Sequence, residues 1–315
     1  MNICITGALG HIGSSLIRNL KSRDIGRVFL IDNLNKQRYC SLFDLPNKPK
    51  FVFVETDILS KKMELIVKDS DIVIHLAAIS DAESSIKEAA EVNRVNRVGL
   101  RYIVKLCSKY HKSLLFPSTT SVYGSSAKIL NEESTGKNIQ PQSPYAESKL
   151  YGEKYIMSEA QKKGFKYTIL RFGTIFGYSI GMRFNTAVNK FVYQAATDQN
   201  ITVWKTALNQ KRPYCDLVDC ISAINYVIES NLFNNQIYNI VTLNLTVKDI
   251  IVEIKKFIPQ VKISFIKSAI MNKLSYSVSN EKSLKKGFKY SGNLNRSIKK
   301  YIQKLGNVSF LVKKI

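Results

Sequence analysis

Between residues 6 and 13 the sequence reads Thr6-Gly7-Ala8-Leu9-Gly10-His11-Ile12-Gly13. This stretch follows a short apolar run and opens a helical pattern, which is the order of a strand, a turn and a helix. Gly7 permits the tight turn, Gly10 lets the backbone approach a diphosphate, and Gly13 lets the helix pack close to the sheet. The G-x-x-G-x-x-G spacing differs from the commonest dinucleotide fingerprint, so an ordinary turn stays open on the glycines alone.

A carboxylate further along the chain favours the dinucleotide interpretation. Asp32 lies 19 residues after Gly13, at the end of the second strand-like run. There it can accept hydrogen bonds from the ribose hydroxyls of NAD, and its charge would repel the 2′-phosphate of NADP. The loop, the strand and Asp32 together predict an NAD site, with the diphosphate at the positive end of the helix dipole.

Apolar, β-branched runs alternate with helical patterns along the first 177 residues. The runs lie at 2–6, 28–32, 51–55, 72–76, 113–117 and 167–172, and the helical patterns at 11–22, 61–68, 90–110 and 144–163. Several runs are continuously apolar, which is typical of parallel strands covered on both faces. This rhythm predicts an α/β fold with a doubly wound, Rossmann-type parallel sheet.

The rhythm breaks after about residue 178, which predicts a second, smaller unit. A strand returns at 236–240, and Thr246-Val247-Lys248-Asp249 is typical of the capped start of a helix that reaches about residue 258. We therefore expect an NAD-binding domain of residues 1–177 plus about 217–242. Residues 178–216 and 243–315 would form a smaller α/β lobe that binds the substrate.

Composition limits the classes of protein to consider. Hydrophobic residues make up 45% of the 315 residues, enough for a packed core, and no apolar run is long enough to span a membrane. The five cysteines are odd in number and form no C-x-x-C, which argues against a disulfide framework or a metal site. Without a secretory pattern at the N-terminus, a cytoplasmic protein is expected.

The net charge of +23 suggests an anionic partner. Residues 245–315 hold 16 Lys or Arg against 3 Asp or Glu, a net of +13, so the basic excess is concentrated there. Most of these cations are Lys rather than Arg, which favours solvated surface over bidentate phosphate recognition. Few aromatics accompany them and no nucleic-acid motif is visible, so nucleic acid is not the expected partner.

Two residues form a candidate reactive pair. In the stretch 141–149 Ser143 can cap a helix, which puts Tyr145 and Lys149 at positions i and i+4 on one face. A free phenol has a pKa of about 10, and a neighbouring cation lowers it by stabilising the phenolate. On spacing alone, a solvated Tyr–Lys pair is the commoner explanation.

The ordered set of motifs resembles one family. Thr6–Gly13, Asp32, His75-Leu76-Ala77-Ala78, Tyr145-x-x-x-Lys149 and Arg171-Phe172-Gly173 occur in the order seen in extended short-chain dehydrogenases/reductases. These are the NAD-dependent nucleotide-sugar epimerases and dehydratases, among them the UDP-glucose/UDP-galactose 4-epimerases. The resemblance reaches to about residue 289, and it implies an NAD cofactor, a nucleoside-diphosphate sugar as substrate and a homodimer built through two helices per subunit.

The resemblance also implies roles for individual residues. Thr119, Tyr145 and Lys149 fall on the catalytic positions. The implied cofactor contacts are Gly7, Gly10, His11, Ile12, Gly13, Asp32, Asn33, Asp57, Ile58, Leu76, Ala77, Ala78, Asn96, Tyr145, Lys149 and Phe172. The implied substrate contacts are Thr120, Thr174, Arg183, Asn189, Trp204 and Arg212, with Lys273 as a further cation near the diphosphate. No metal ligand is implied.

The residues after the fifth strand distinguish the family's members by the reaction that they catalyse. Its 4,6-dehydratases carry adjacent Asp and Glu there, and its decarboxylases keep the Glu, whereas this chain has Thr120 and Ser121. Elimination of water needs an acid–base pair that this segment lacks. The resemblance therefore implies hydride transfer at C4 through a 4-keto sugar, as in an epimerase. A 4-dehydrogenase or 4-ketoreductase stays open, as does a basic RNA- or anion-binding protein that retains the fold.

Overall fold

The computed structural model describes residues 1–21, 24–81, 88–124, 129–266 and 275–306. Lys273, the possible late cation, lies outside these residues. Within them the strands are β1 (Asn2–Thr6), β2 (Arg27–Asp32), β3 (Lys50–Glu55), β4 (Ile72–His75), β5 (Ser113–Thr119), β6 (Ile129–Leu130), β7 (Tyr167–Phe172), β8 (Thr174–Phe176), β9 (Ile201–Trp204), β10 (Lys211–Asp216), β11 (Gln236–Ile240), β12 (Leu243–Thr246), β13 (Ile263–Ile266) and β14 (Ser277–Val278).

The α-helices of the same residues are α1 (His11–Leu16), α2 (Lys62–Lys68), α3 (Ala89–Val92), α4 (Leu100–Lys109), α5 (Pro144–Lys163), α6 (Ala187–Ala196), α7 (Leu217–Glu229), α8 (Val247–Lys255), α9 (Glu281–Lys286) and α10 (Leu294–Leu305). A π-helical segment, Asn93–Gly99, joins α3 to α4. None of the helices in the described ranges is both long enough and apolar enough to cross a membrane.

Seven parallel strands form the main sheet, in the order β11-β7-β5-β4-β1-β2-β3. The predicted doubly wound α/β fold is therefore confirmed. The strand order reverses at β1, between β4 and β2, and ligands of such sheets bind at this switch point, beyond the carboxyl ends of the strands. The glycine loop 6–13 and the ends of β4 and β5 all lie at that edge.

Apolar side chains cover the sheet on both faces. One buried cluster joins the sheet to α1 and α7, and a second joins it to α2, α4 and α5. Ile3, Ile5, Leu30 and Ile74 belong to the first cluster, and Cys4, Ile31 and Val73 to the second. The continuously apolar strands follow from this double burial.

A third buried cluster packs α6, α8 and α10 around the smaller strands. Here β12, β10 and β8 form one sheet, and β9 pairs with β13 in parallel. The predicted capping box at the start of α8 is confirmed: the Thr246 side chain accepts from the Asp249 N–H, and the Asp249 side chain accepts from the Thr246 N–H.

Two predicted helices differ from the observed ones. The helix expected over 11–22 ends at Leu16, where the Arg18 and Asn19 side chains donate to the carbonyl oxygens of Ser14 and Ser15. Side chains that satisfy the last carbonyls in this way replace further helical turns. The continuous helix expected over 90–110 is instead interrupted by the π-helical segment, a feature that is frequent near functional sites.

Candidate active site

The glycine loop is held so tightly that two of its positions require glycine. Gly7 has a φ of +67°, and a Cβ there would lie 2.7 Å from the backbone nitrogen of Ala77. A Cβ on Gly13 would lie 2.4 Å from the carbonyl oxygen of Ala8. The loop therefore lies directly against the chain that follows β4. The helix α1, which contains Gly13, packs onto the turn at Ala8.

The carboxylate of Asp32 closes this loop from the neighbouring strand. One of its oxygens accepts from the Leu9 N–H at 3.2 Å, and the other accepts from the Leu34 N–H at 3.0 Å. The side chain is partly buried and the adjacent Asn33 is exposed. The structure thus places Asp32 beside the loop, where the sequence predicted a ribose contact, with Asn33 next to it in the chain.

The next strand end supplies a second carboxylate, Asp57. It accepts from the Leu59 N–H at 2.9 Å and pairs with Arg94 at 3.3 Å. Burial raises the pKa of Asp57, but the Leu59 N–H, Arg94 and an Asn33 hydrogen bond outweigh it, so the pKa is lowered. Asp57 and Asn33 are thereby brought together, and Ile58 next to them is buried against Gly99.

Asn96, inside the π-helical segment, connects the cofactor loops to the catalytic helix. Its amide donates to the Ile79 carbonyl at 2.9 Å and to the Ser148 hydroxyl at 3.0 Å, and its oxygen accepts from the Ile79 N–H at 2.8 Å. Leu76, Ala77 and Ala78 lead into Ile79, and all three are partly buried. One amide thus fixes the chain after β4 relative to the residue next to Lys149.

Thr119 and Tyr145 meet at the carboxyl end of β5. Thr119 is the last residue of that strand and is buried; its hydroxyl accepts from the Ser121 N–H at 3.1 Å and lies close to the Tyr145 side chain. Ser143 caps α5 as predicted, which places Tyr145 in the first turn of the helix. Burial raises the pKa of Tyr145, while the charge of Arg183 and the nearby Thr119 hydroxyl act to lower it.

Lys149 lies deeper, against the strand. Its Nζ donates to the Pro117 carbonyl oxygen at 2.7 Å and lies 4.5 Å from the centre of the Phe116 ring. Burial lowers the pKa of Lys149 to about 7, and the carboxylate of Glu153 acts in the opposite direction. The cation whose charge lowers the pKa of Tyr145 is Arg183, whereas the sequence suggested Lys149 for that task.

Arg183 belongs to a segment, residues 179–183, that we call the cover segment. The Arg183 guanidinium donates to the Ser80 carbonyl oxygen at 3.1 Å and also to the Ser80 hydroxyl. The Gly181 N–H donates to the Ser14 hydroxyl at 3.0 Å, and a Cβ on Gly181 would lie 2.2 Å from the Leu9 carbonyl oxygen. The cover segment therefore bridges the glycine loop and the chain that follows β4.

His11 is the side chain of the glycine loop that faces this segment. Its Nδ1 shares a 2.8 Å hydrogen bond with the Ser179 hydroxyl, and its buried Nε2 has no hydrogen-bond partner. Burial and the charges of Arg183 and Arg38 lower the pKa of His11 to about 3. The ring is therefore neutral, and an acceptor or donor beside Nε2 would satisfy it.

The remaining predicted substrate residues lie on several elements. Asn189 is fully buried, accepts from the Gly177 N–H at 3.1 Å and donates to the Arg183 carbonyl at 3.1 Å. Arg212, on β10, lies 5.2 Å above the Tyr276 ring, and the Tyr276 hydroxyl donates to the Thr120 carbonyl at 3.2 Å. Tyr276 thus connects Arg212 to the loop that follows Thr119.

Four further predicted residues lie within or beside the packed core. Thr174 begins β8 in register with Tyr214, and Trp204 ends β9 in register with Ile266; both are partly buried. Phe172 is buried in the first apolar cluster, in register with Thr119. Ile12 is partly buried and packs against the same cluster. Across the residues described, no group of three His, Cys, Asp or Glu is arranged to hold a metal ion.

Several residues of the site were not anticipated. They are Ser80, which accepts a hydrogen bond from Arg183; Ser148, which accepts one from Asn96; Ser179, which is hydrogen-bonded to His11; Glu153; and Tyr276. Of these, only Glu153 had a sequence signal, because Tyr145, Lys149 and Glu153 follow one another at four-residue spacing on one helical face.

A sequence model of the NAD dependent epimerase/dehydratase family matches residues 3–241, and the chain therefore belongs to that family. An uncharacterized UDP-glucose epimerase of Bacillus subtilis (strain 168) is 27% identical over 235 residues, 72% of each chain. A dTDP-D-glucose 4,6-dehydratase of Dictyostelium discoideum is 28% identical over 258 residues, 76% of this chain and 58% of the relative. The UDP-glucuronic acid 4-epimerase of Bacillus cereus, solved with UDP-glucuronic acid and NAD, superposes with a TM-score of 0.87 at 25% identity, covering 97% of this chain and all of the other.

The residues of this chain fit the cofactor of the family. Gly7 and Gly13 leave no room for a Cβ, which keeps the loop close to the strand ends, and Asp32 lies beside it. His11 has an unpartnered Nε2 and feels the positive charges of Arg38 and Arg183. Those charges would stabilise an anionic diphosphate beside the ring. The family is NAD-dependent, and nothing in this site disagrees with that cofactor.

Proposed function

We propose that this protein epimerises a nucleoside-diphosphate sugar at C4, through a 4-keto intermediate. The observation that carries the proposal is the closeness of Thr119, at the end of β5, to Tyr145, in the first turn of α5, next to both cofactor loops. Two hydroxyls this near each other at a strand end can bind one carbinol oxygen between them, which is what removal of a proton from C4–OH requires.

In the proposed reaction Tyr145 takes the C4 hydroxyl proton and Thr119 hydrogen-bonds the same oxygen. Tyr145 acts as a base only as a phenolate, and burial works against that form. The Arg183 charge and the nearby Thr119 hydroxyl both favour it. The chemistry that NAD supplies when bound is reversible acceptance of the C4 hydride.

We assign Lys149 to the cofactor ribose. An ammonium has three donors, so its bond to the Pro117 carbonyl is compatible with a second bond to a ribose hydroxyl. Cofactor contacts in this proposal also come from the glycine loop, Asp32 and Asp57. Asn96 acts there by holding the chain after β4 in place.

The cover segment favours an epimerase over a dehydrogenase. A dehydrogenase must release reduced cofactor after each turnover, whereas an epimerase regenerates it in place. Ser179, Gly181 and Arg183 contact the glycine loop and Ser80, so exchange of a cofactor held between those loops requires these contacts to open. A retained cofactor is what a reaction without net redox change uses.

Dehydration is disfavoured by the residues around Thr119. Thr120 is buried and Ser121 is partly buried, and neither offers a carboxylate for elimination across C5–C6. We place the sugar between this loop and Arg212, whose guanidinium suits a diphosphate. The Bacillus cereus neighbour binds UDP-glucuronic acid, so hexuronic acids belong among the candidate substrates together with neutral hexoses.

The test is to incubate the purified protein with UDP-glucose, UDP-glucuronic acid and UDP-N-acetylglucosamine. Products are separated by chromatography while the absorbance of reduced nicotinamide is followed. C4 epimers without accumulating NADH support the proposal; stoichiometric NADH identifies a 4-dehydrogenase. Tyr145→Phe is the control, because it removes only the hydroxyl, and wild-type turnover by this variant refutes the mechanism.

We also propose a homodimer and the two-part division of residues 1–177 plus 217–242 against 178–216 plus 243–315. Arg97 and Arg101 stack on Tyr151 and Tyr155 along neighbouring helices. Such an aromatic helix face supports self-association. Light scattering of the wild type measures it, and a monomeric wild type excludes the dimer.

A further inference from the structure

A buried polar network lies behind the proposed reaction site. Glu153, on α5, and Arg171, on β7, form a bidentate pair with distances of 2.9 and 2.6 Å, and both side chains are almost fully buried. The same guanidinium donates to the Tyr123 hydroxyl at 2.8 Å, which donates to the Asn239 side chain at 2.9 Å. Four separate segments of the chain therefore meet at one carboxylate–guanidinium pair.

The network also reaches the strand that carries Thr119. The Ser118 hydroxyl donates to the Glu153 carboxylate, and Ser118 lies opposite Arg171 in the β5–β7 register. The residue before Ser118 is Pro117, whose carbonyl oxygen accepts from Lys149, and the residue after it is Thr119. Glu153 is thus bonded to the middle one of three consecutive residues that hold the site.

The geometry on α5 completes this arrangement. Tyr145, Lys149 and Glu153 follow at four-residue spacing, so they lie along one side of the helix, facing β5. Lys149 bonds to Pro117, Glu153 bonds to Ser118, and Tyr145 lies close to Thr119. Together these contacts fix the position of the helix along the strand and its rotation against the strand.

We propose that Glu153 is a positioning residue for the reaction: bonded to Arg171 and Ser118, it fixes Lys149 and Thr119 relative to Tyr145. The inference rests on the proposed function, since it concerns that site. A buried, fully hydrogen-bonded ion pair is well suited to such a task, because any displacement breaks several bonds at once. The apolar alternatives for a core position would fill the same space without fixing an orientation.

Glu153 has a second, electrostatic effect on the same site. It is the carboxylate that raises the pKa of Lys149 against the effect of burial, while His75, on β4, is neutral and feels the Lys149 charge. If Glu153 loses its charge, the effect of burial on Lys149 is no longer offset, and its ammonium form becomes less stable. A residue that merely filled space would have no such influence.

The experiment compares Ser118→Ala, Glu153→Gln and the double variant Glu153→Gln/Arg171→Gln with Glu159→Gln. Glu159 lies on the same helix and pairs at 3.8 Å with the exposed Lys162, so its variant makes the same chemical change outside the network. Each protein is first checked for folding by circular dichroism and for bound NAD. Ser118→Ala removes no charge and tests the proposal even where Glu153→Gln does not fold.

We expect kcat to fall by about tenfold or more in Ser118→Ala and Glu153→Gln, with KM changed less than about twofold. In the second variant the alkaline limb of the pH profile, where Lys149 loses its proton, moves to lower pH. Wild-type kcat in both folded variants overturns the proposal, and so does an equal change in kcat and KM with an unshifted profile. Glu159→Gln should match the wild type in every measurement.

A second measurement separates this inference from the proposed function. Lysine labelled with ¹³C at Cε reports the titration of Lys149 without any turnover, and Lys149→Met assigns its resonance. We expect Lys149 to titrate at lower pH in Glu153→Gln and at unchanged pH in Glu159→Gln. If no nucleotide sugar is turned over but this shift is present, the proposed function fails and the link from Glu153 to Lys149 stands; without the shift the link fails.

Discussion

The ammonium nitrogen of Lys149 lies 2.7 Å from the carbonyl oxygen of Pro117, within the strand that ends in Thr119. Because Lys149 is buried and its pKa is lowered to about 7, its charge depends on pH in the neutral range. The same contact therefore joins the catalytic helix to the strand and places a titratable cation beside the cofactor loops.

Replacing Lys149 tests its role at the cofactor. We expect Lys149→Met to lower kcat by about 10- to 100-fold, because a hydrogen bond from a charged group, here to the cofactor ribose, contributes roughly 1.5–3 kcal/mol. The variant should also purify with less NAD, which extraction and absorbance measure. Lys154→Met, an exposed position on the same helix, is the control. Full NAD content together with full activity in Lys149→Met would contradict the assignment.

The Thr119 hydroxyl is expected to matter through its hydrogen bond. Thr119→Ala should lower kcat by about 10- to 100-fold, because a hydrogen bond that stabilises a charged oxygen contributes roughly 1.5–3 kcal/mol. Thr119→Ser keeps the hydroxyl and should recover most of the rate. Steady-state kinetics on the substrate found in the panel measures both, and equal loss in the two variants would show that packing, not the hydroxyl, is responsible.

Opening the cover segment should release the cofactor. In Gly181→Ala the new Cβ would meet the Leu9 carbonyl oxygen at 2.2 Å, so the segment must move away from the glycine loop. We expect NAD to dissociate about tenfold faster or more, a loss equivalent to at least one hydrogen bond. Stopped-flow displacement by an NAD analogue gives the rate. The control is Ala196→Gly, an exchange of the same two residue types on a helix outside the cover segment. Gly136→Ala is not used as a control, because the φ of +56° at Gly136 would strain an alanine.

Stability should fall in acid through two buried histidines. Burial lowers the pKa of His75 to about 3, and His11 shifts the same way, from an ordinary value of 6.5. Below pH 6.5 the two histidines of the unfolded chain bind protons, whereas those of the folded chain stay neutral. The free energy of unfolding that the neutral histidines contribute is therefore complete above pH 6.5 and is lost as the pH falls toward 3. Each histidine contributes a slope of about 1.4 kcal/mol per pH unit.

Urea unfolding at pH 7, 6, 5 and 4 measures that slope. His75→Asn removes one of the two groups, so its free energy of unfolding should fall less steeply with acid than that of the wild type. His111→Asn, at an exposed histidine with a φ of +51° that Asn tolerates, should keep the wild-type slope. Parallel curves for the wild type and His75→Asn would contradict the prediction.

The parallel sheet could be predicted from the sequence because its strands are buried on both faces and their apolar runs are continuous. The spacing of Tyr145 and Lys149 was informative for a similar reason, since i and i+4 share a helix face. The contacts of Arg183 with Ser80 and of Ser179 with His11 join residues that are more than 100 positions apart. No local pattern encodes such contacts, because they depend on how the finished sheet is covered.

Except for the six-residue β10, the strands missed in the smaller sheets were missed for a physical reason. Elements of two to four residues, such as β6, β8 and β14, are too short to show a period of two. The π-helical segment was missed because its sequence keeps a helical composition, and the deviation arises where Asn96 bonds to Ile79 and Ser148. Side chains that serve tertiary contacts, rather than propensity, determine these parts of the structure.

The edge of the main sheet has a consequence for how the chain folds. Gln236 of β11 pairs with Thr168 of β7, so 68 positions separate two neighbouring strands, and β8, β9 and β10 lie between them in sequence. Closing so long a connection is a slow, non-local step. During synthesis β7 therefore remains an unpaired edge strand until residue 236 has been made. A chain that ends before that residue would expose a hydrophobic strand able to pair with other chains.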